Sequence, residues 1–471
     1  MNPTRNQPCP CGSGLRFKRC CGKISEEPVS IPLPISSGTI LPSESYGQQE
    51  IASPFERKIV DLLRRGNLPQ AEILSRISLE SDPANPKIHN FLGWIASAVN
   101  LPQFAIHYFS EAARLAPDWE MPRINMEKVS KHLKEGQDGP AISGLETKHA
   151  GKAEQFLLIK AWGYGFWSDV SHVLGQLLVA ELTGRIPIVH WGSNSLFGDG
   201  TDMNAFEFYF EKVSAIGVGD LQKEDFDFWP PKWNHRNLTE GEINKSVGPF
   251  SHVAGLYLLS HPERVIVSDF YTGVIDLRPW IPIGHYLYGL SVDELYRYLV
   301  RRYLRPRKVI MDEVDSFYAK HLASQDYIAV HARGSDKFLE MKKLDEVNKQ
   351  YKEIIDRCLS LYNCHCIFLM TDDSRILDHF VELYGNKIIT TDCQRTNSAQ
   401  GIHYQRVLDR RRLGTEVMVD AYLAAKARAI IGNGFSNASV IVRYLKDWPE
   451  GDIYLIGQSL YHTYNIFLYD W

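Results

Sequence analysis

The sequence predicts an α/β protein in which a pair of parallel-sheet domains follows a small cysteine-rich segment and an α-helical segment. From about residue 150 onward, strand-like apolar runs alternate with amphipathic helices, which is typical of parallel α/β proteins. This stretch of about 320 residues is too long for one doubly wound sheet, so we expect two. Upstream of it, residues 1–22 are rich in Cys and Gly, and residues 51–133 have a helical pattern.

The overall composition excludes several classes of protein. Of the 471 residues, 44% are hydrophobic and 23% are charged, as in globular proteins. The net charge of -4, from 56 acidic and 52 basic residues, argues against a dedicated nucleic-acid binder. No apolar run approaches the roughly 20 residues that span a bilayer, and residues 1–21 lack the apolar core of a secretory signal. We therefore expect a cytoplasmic protein with no nucleic-acid partner.

Shifts in composition set the predicted domain boundaries. Residues 23–50 contain four prolines and scattered Ser and Gly, so they are expected to form a linker. Residues 134–148 are predicted to form a second linker for the same reason. The predicted domains are 1–22 (cysteine-rich motif), 51–133 (helical repeats), 150–320 (first α/β half) and 321–471 (second α/β half).

The helical segment contains an internal repeat. Residues 67–70 (NLPQ) recur as residues 100–103, and Pro83 recurs 34 residues later as Pro117. Small and large packing positions lie between the two prolines: Leu92, Gly93, Ala105, Phe109 and Ala112. The period and these positions resemble a tetratricopeptide repeat, and the alternative is an ordinary helical hairpin. Such repeats commonly bind peptides or proteins, which predicts a protein partner.

The four N-terminal cysteines form a candidate metal site. Cys9, Cys11, Cys20 and Cys21 fall within thirteen residues, and four thiolates suit tetrahedral Zn²⁺. A piece of about 20 residues has no core of its own, so the metal would supply its folding energy. The spacing C-x-C-x8-C-C resembles the SEC-C zinc motif of the bacterial secretion ATPase, a docking module found in many bacterial proteins. The alternative is that these cysteines are reactive surface thiols.

A dense cluster of polar residues follows one predicted strand. Residues 327–330 have a buried-strand pattern, and in parallel sheets the residues that bind ligands lie at the carboxyl ends of strands. The charged and polar residues of this cluster are His331, Arg333, Asp336, Lys337 and Glu340. An Arg in such a position binds diphosphate oxygens through its planar fork. Taken alone, His331 would more often be a structural histidine.

Two further predicted strands end in a similar way. Residues 366–370 lead to Asp372 and Asp373, and residues 429–431 lead to a small polar loop, 432–439, that opens a helix. Such a loop offers N–H groups and hydroxyls to a phosphate. The three strand ends together predict a nucleotide-diphosphate site. Taken alone, Asp372 and Asp373 would more often be a helix N-cap.

The order and spacing of these motifs resemble the α-1,6-fucosyltransferases. The segments that carry the resemblance are HARGSDK followed by Glu340, FLMTDDS, SAQGIH, GTEVMVDAYLAAKA and GFSNAS, with residues 162–166 (WGYGF) upstream. The family includes the nodulation enzymes of rhizobia and the animal enzyme that core-fucosylates N-glycans. The resemblance covers about residues 155–445. It implies a GT-B-like pair of Rossmann-type domains, with the acceptor on the first half and GDP-fucose on the second.

The resemblance also implies roles for individual residues. The nucleotide sugar would be bound by His331, Arg333, Asp372, Asp373, Asp420, Ser436, Asn437, Gly163 and Gly165. Among these, Arg333 would contact the diphosphate, Asp420 the guanine and Ser436 a phosphate. Catalysis would fall to Arg333, Lys337 and Glu340, with Glu340 as the base. Glu340 lies three residues after Lys337 rather than the family's four, so Asp336 is the alternative base.

The predicted reaction is an inverting transfer without a catalytic metal. Asp372 and Asp373 are contiguous and lack the D-x-D spacing of metal-dependent transferases, and cationic groups can stabilise the leaving diphosphate. The acceptor remains open between a protein side chain, an oligosaccharide and a lipid-linked glycan. Two alternatives also remain: a transferase that uses another nucleotide sugar, and a non-catalytic adaptor that binds partners through the repeats and the zinc knuckle.

Overall fold

The computed structural model divides the chain into two compact units. The first comprises Met1–Pro140, Asn244–Ser260 and Ile466–Trp471, and the second comprises Ala141–Ile243 and His261–Asn465. The residues that the structure describes are 53–99, 101–135, 154–201, 203–241, 259–268, 271–282, 284–334, 350–398, 402 and 409–457. Within these ranges, none of the helices combines the length and apolar character needed to cross a membrane.

The described core of the first unit is a run of five helices, each of which packs against the next. They are α1 (Pro54–Arg64), α2 (Leu68–Ser81), α3 (Pro86–Ala98), α4 (Pro102–Leu115) and α5 (Met121–Glu135). Proline in the first turn and a polar N-cap define several of the helix starts. Asn85, for example, caps α3 by accepting hydrogen bonds from the N–H groups of Lys87 and Ile88.

Helices α3 and α4 pack closely at Gly93. A Cβ added to this glycine would lie 2.5 Å from the ring of Phe109, so only glycine admits the ring between the helices. Leu92, Ala105 and Ala112 are fully buried around the same contact. The predicted packing positions therefore lie in the core of this hairpin, whereas its assignment as a tetratricopeptide repeat stays a prediction.

The second unit begins with a four-stranded parallel sheet. Its strands are β1 (Phe156–Lys160), β2 (Ile186–His190), β3 (Phe228–Trp229) and β4 (Val265–Ser268), in the order β2-β1-β4-β3. Helix α6 (Phe166–Thr183) connects β1 to β2 and ends at Gly184, whose φ of 67° favours glycine. Three helices follow β4: α7 (Val274–Leu277), α8 (Val292–Tyr303) and α9 (Lys308–His321).

The second sheet is also parallel and has five strands. They are β5 (Tyr327–His331), β6 (Cys366–Met370), β7 (Ile388–Ile389), β8 (Ile430–Asn433) and β9 (Ile453–Ile456), in the order β7-β6-β5-β8-β9. The helices of this half are α10 (Tyr351–Leu361), α11 (Ser374–Tyr384), α12 (Arg410–Ala425) and α13 (Asn437–Leu445). Counted within this half, the strand order is 3-2-1-4-5, as in Rossmann-type sheets.

Contacts at α12 and α13 are among those that join the halves of the second unit. The ring of Tyr209, from the first half, lies where a Cβ on Gly414 of α12 would come within 2.5 Å of it. Asp293, in the first turn of α8, pairs with Arg443 and accepts a hydrogen bond of 3.1 Å from the Tyr444 hydroxyl, both on α13. The predicted fold class, α/β with a pair of parallel sheets preceded in the chain by a helical segment, is confirmed.

Candidate functional site

The candidate site lies at the point where the strand order of the second sheet reverses. Strand β5 has β6 on one side and β8 on the other. Because right-handed crossovers place the connections of these neighbours on opposite faces, a crevice opens at the carboxyl ends of β5 and β8. His331 is the last residue of β5 and Asn433 is the last residue of β8. The predicted cluster therefore begins at the switch point of this sheet.

Two hydrogen bonds fix the position of His331, one to its ring and one to its backbone carbonyl. Its Nδ1 lies 2.6 Å from the Oγ of Ser439, and its carbonyl accepts a hydrogen bond of 2.7 Å from the Tyr351 hydroxyl. Burial, and to a smaller extent the nearby charge of Arg333, lower the pKa of His331 to about 4, although the charge of Asp372 raises it. The imidazole is therefore neutral around pH 7. It is a polar group in a fixed orientation rather than a cation.

Arg333 lies two residues beyond the end of β5 and pairs with the neighbouring strand end. Its Nη1 is 2.6 Å from the Oδ2 of Asp372, and the side chains are 18% and 13% exposed. In the β5–β6 register His331 lies opposite Met370, so residues two further along each strand also come opposite each other. The structure thus brings together Arg333 and Asp372, both predicted from sequence.

Asp373 supports the loop rather than facing the crevice. It is 1% exposed, and its Oδ1 accepts hydrogen bonds of 2.9 Å from both the backbone N–H and the Nε of Arg375. It is the N-cap of α11, and Gly334 passes so close that an added Cβ would lie 2.6 Å from its side chain. This geometry matches the helix N-cap alternative, and ligand binding by Asp373 stays a prediction.

Asp420 lies on α12 in a buried polar environment. Its Oδ1 accepts a hydrogen bond of 2.6 Å from the Thr391 hydroxyl, in the segment after β7. Burial raises the pKa of Asp420 to about 7, although the Thr391 hydroxyl and the charge of Arg395 lower it. The next helical turn back holds Glu416, which accepts from the Gln394 N–H at 3.0 Å. A carboxylate with a pKa near neutrality thus lies on α12, where it contacts the segment after β7.

Ser436 and Asn437 occupy the N-terminus of α13, directly after β8. Ser436 is the N-cap residue, but its side chain makes no capping hydrogen bond. The preceding turn is held by the Asn433 side chain, which accepts a hydrogen bond of 2.8 Å from the Phe435 N–H. The N–H groups at the start of a helix carry a partial positive charge and favour anions. This location is consistent with the predicted phosphate contacts, which remain predictions.

Gly163 and Gly165 lie at the carboxyl end of β1 in the first half. Gly163 has a φ of 80°, which favours glycine, and Gly165 is the N-cap of α6. The turn between them is fixed because the Tyr164 N–H donates to the Oδ1 of Asp169 at 3.1 Å. The predicted glycine-rich turn before a helix is therefore present, and its contact with a nucleotide stays a prediction.

Sequence reasoning missed three residues that organise the site. Ser439 and Tyr351 hold His331, and Thr391 holds Asp420. Ser439 belongs to the polar loop that the sequence singled out, but its distance of 108 residues from His331 hides the contact. Nothing in the local pattern marks Tyr351 or Thr391.

Several predicted residues lie outside the described part of the chain. They are the zinc-ligand candidates Cys9, Cys11, Cys20 and Cys21, and the catalytic candidates Asp336, Lys337 and Glu340. Their assignments remain sequence predictions.

The N-terminal segment matches a known family of protein motifs. Residues 5–23 match the SEC-C motif. Over 24 residues the chain is 75% identical to protein translocase subunit SecA of Psychrobacter sp. (strain PRwf-1), which covers 5% of this chain and 3% of that protein. The chain thus spans only a small part of that relative. The predicted resemblance of the cysteine-rich segment to the SEC-C motif is confirmed.

Solved structures with a similar arrangement include two kinds of fucosyltransferase. NodZ α-1,6-fucosyltransferase co-crystallized with GDP is 19% identical, with a TM-score of 0.44 over 62% of this chain and 92% of that one. NodZ from Bradyrhizobium gives 19% identity and a TM-score of 0.43 over 62% and 93%. POFUT1 in complex with GDP is 14% identical, with a TM-score of 0.39 over 65% and 100%.

Proposed function

We propose that the second unit is an inverting, metal-independent glycosyltransferase that transfers fucose from GDP-fucose to a hydroxyl of a protein or glycan acceptor. The observation that carries the proposal is the ion pair of Arg333 and Asp372 beside His331 at the switch point of a Rossmann-type sheet. These residues belong to the motifs whose order and spacing resemble the α-1,6-fucosyltransferases.

The proposed role of Arg333 is to bind the leaving diphosphate. Its guanidinium stays charged at all relevant pH values, and its planar fork matches two phosphate oxygens. Asp372 holds that fork in one orientation, so less conformational entropy is lost when the ligand binds. The guanidinium of Arg333 and the N-terminus of α13 together supply positive charge where negative charge develops in the transition state. This arrangement is the reason to propose catalysis without a metal ion.

The proposed role of Asp420 is to recognise guanine. An ionised carboxylate accepts hydrogen bonds from the ring N–H and the exocyclic amine of guanine, a pattern that uracil and thymine lack. The Thr391 hydroxyl holds one oxygen at 2.6 Å and thereby fixes the plane of the carboxylate. The raised pKa of Asp420 means that nucleotide binding would draw the group toward its ionised form.

The proposed acceptor chemistry needs one base. Glu340 is the first candidate and Asp336 the second, with Lys337 ordering the site. Glu340→Gln is expected to abolish fucose transfer while GDP affinity remains unchanged, because the amide cannot accept the proton of the acceptor hydroxyl. Normal turnover in that variant would shift the role to Asp336.

A nucleotide panel tests the proposal most directly. Thermal shift with GDP, GDP-fucose, UDP and dTDP is expected to show stabilisation by the two guanine nucleotides, and Arg333→Ala is expected to abolish it. The matched control is Arg443→Ala. It removes an Arg–Asp pair of similar burial in the last turn of α13, at the end of that helix away from the proposed phosphate contacts. A preference for UDP or dTDP would point to another nucleotide sugar. No response to any nucleotide would favour the non-catalytic adaptor.

We also propose that the SEC-C motif binds one structural Zn²⁺ through Cys9, Cys11, Cys20 and Cys21, and that the helical repeats bind a protein partner. Four thiolates are the donor set that tetrahedral zinc prefers. In this view the N-terminal region localises the enzyme or selects the acceptor, and the second unit carries out the transfer.

A further inference from the structure

The Ser439 hydroxyl joins the ends of the two strands that flank the switch point. Ser439 lies in the first turn of α13 and is fully buried. Its Oγ accepts a hydrogen bond of 3.0 Å from the N–H of Asn433, at the end of β8, and lies 2.6 Å from the Nδ1 of His331, at the end of β5. A Cβ added to Gly432 would come within 2.6 Å of this Oγ, so glycine is required for the approach.

The direction of the hydrogen bond between Ser439 and His331 follows from counting protons. A serine hydroxyl has one proton to donate, and the Asn433 N–H uses the oxygen only as an acceptor. A buried hydroxyl proton needs an acceptor, and within the described parts of the chain His331 Nδ1 is the one in reach. The hydroxyl therefore donates to Nδ1, which must then carry no proton.

We infer that Ser439 is a positioning residue that holds His331 in the tautomer protonated at Nε2, so that this N–H can donate to a diphosphate oxygen of the bound nucleotide. The identity of the anion rests on the proposed function. The tautomer rests on the geometry of Ser439, Asn433 and His331 alone.

The tautomer matters because His331 is neutral and has only one N–H. With the proton on Nε2, the ring presents a donor to an anion. With the proton on Nδ1, it would present a lone pair, which repels a phosphate oxygen. Among the described residues, no other group forms a hydrogen bond with Nε2. Ser439 thereby makes His331 a neutral donor beside the charged fork of Arg333.

Nuclear magnetic resonance of the full chain labelled with ¹⁵N-histidine measures the tautomer directly, and the His331→Gln variant assigns the signals. The wild-type protein is expected to show His331 protonated at Nε2 in the absence of nucleotide. Ser439→Ala is expected to give a mixture of tautomers and to weaken the binding of GDP and of inorganic pyrophosphate in proportion to the fraction of the Nε2–H form that is lost, about twofold for an equal mixture. Tyr327→Phe is the matched control, because it removes a buried hydroxyl hydrogen bond at the opposite end of β5.

Each outcome bears on a different part of the inference. A proton on Nδ1 in the wild-type protein would overturn it, as would weaker binding in Ser439→Ala with the tautomer unchanged. If Tyr327→Phe weakened nucleotide binding as much as Ser439→Ala, the effect of Ser439 would be one of general packing and the inference would fail. A protein with the expected tautomer that binds pyrophosphate but not GDP would contradict the proposed function alone. Binding of neither would overturn the assignment of an anion to Nε2.

Discussion

The guanidinium of Arg333 and the carboxylate of Asp372 form an ion pair across two adjacent strand ends, with 2.6 Å between Nη1 and Oδ2. Both side chains are mostly buried, yet they lie at the edge of the sheet where a ligand enters a Rossmann-type crevice. A carboxylate in this position orients the cation and also neutralises part of its charge. Which effect dominates for an anionic ligand can be decided by experiment.

Asp372→Asn tests the orienting effect. We expect about tenfold weaker GDP binding, because an amide of the same size holds the guanidinium less firmly and leaves more of its entropy to be lost on binding. Isothermal titration calorimetry measures the change. Asp293→Asn is the control, since it alters the pair with Arg443 and is expected to lower stability without changing affinity. Tighter GDP binding in Asp372→Asn would mean that the carboxylate mainly competes with the ligand for Arg333.

The raised pKa of Asp420 predicts that the affinity for GDP depends on pH. Its pKa in the free protein is about 7, and only the ionised form accepts both guanine N–H groups. Affinity should therefore rise with pH up to and through about 7 and level off above it, by at most about tenfold per pH unit. Titrations between about pH 5.5 and about pH 8.5 measure this profile.

Two variants test the origin of the pH profile. Asp420→Asn should weaken binding and remove this part of the pH dependence. Thr391→Val removes the hydroxyl that lowers the Asp420 pKa, so the rise should move to higher pH. A profile that is unchanged in Asp420→Asn would assign the titration to another group.

Much of this site could be predicted from sequence because it is built from local patterns. An apolar run followed by polar residues marks a strand end, so His331, Arg333 and Asp372 could be identified without coordinates. The capping role of Asp373 is equally local. Ser439 and Thr391 could not be assigned roles, because their partners are set by strand order and by the course of a loop. Ser439 reaches His331 only because β8 lies directly beside β5 in the sheet.

Three buried histidines predict that the second unit is sensitive to acid. Burial lowers the pKa of His172, His190 and His331 to about 4 in each case, from an ordinary value of 6.5. The unfolded chain binds protons more readily over this interval, so stability is lost as pH falls from about 6.5 to about 4, by at most about 3 kcal/mol per histidine. The carboxyl of Asp420 has a raised pKa and acts in the opposite direction, so it offsets part of the loss.

Melting temperature against pH measures the net effect. We expect a steep fall below about pH 6, because three groups lower the stability and one raises it. His190→Asn should make the fall shallower if the variant folds. A melting temperature that stays constant down to about pH 4.5 would contradict the assignment of buried neutral histidines.

Removal of zinc should separate the two activities that we propose for the chain. A chelator, or the Cys20→Ser variant, is expected to release zinc from the SEC-C motif, because a segment this short depends on the metal for its folding. Fucose transfer to a small acceptor should remain unchanged, since the proposed donor site lies in the second unit. Zinc content by mass spectrometry and transfer rate measure the two effects, with Cys358→Ser, a buried cysteine of the second half, as the control for cysteine loss. Loss of transfer in Cys20→Ser but not in Cys358→Ser would show that the zinc motif is part of the catalytic machinery.

The close approach of α3 and α4 gives a prediction for the helical repeats. Gly93→Ala adds a methyl group 2.5 Å from the Phe109 ring, and both residues lie in the core of the hairpin. Alanine favours a helix over glycine by about 1 kcal/mol, but overpacking of a tight core costs about 1–3 kcal/mol, so we expect net destabilisation. Chemical unfolding of the chain measures the change.

Ser97→Ala on the same helix is the control. Gly93→Ala combined with Phe109→Leu should recover part of the loss, because the smaller side chain makes room for the methyl group. If the Gly93→Ala variant were as stable as the wild type, α3 and α4 would be able to separate at little cost. That result would contradict the tight small-residue contact expected of a tetratricopeptide-like pair.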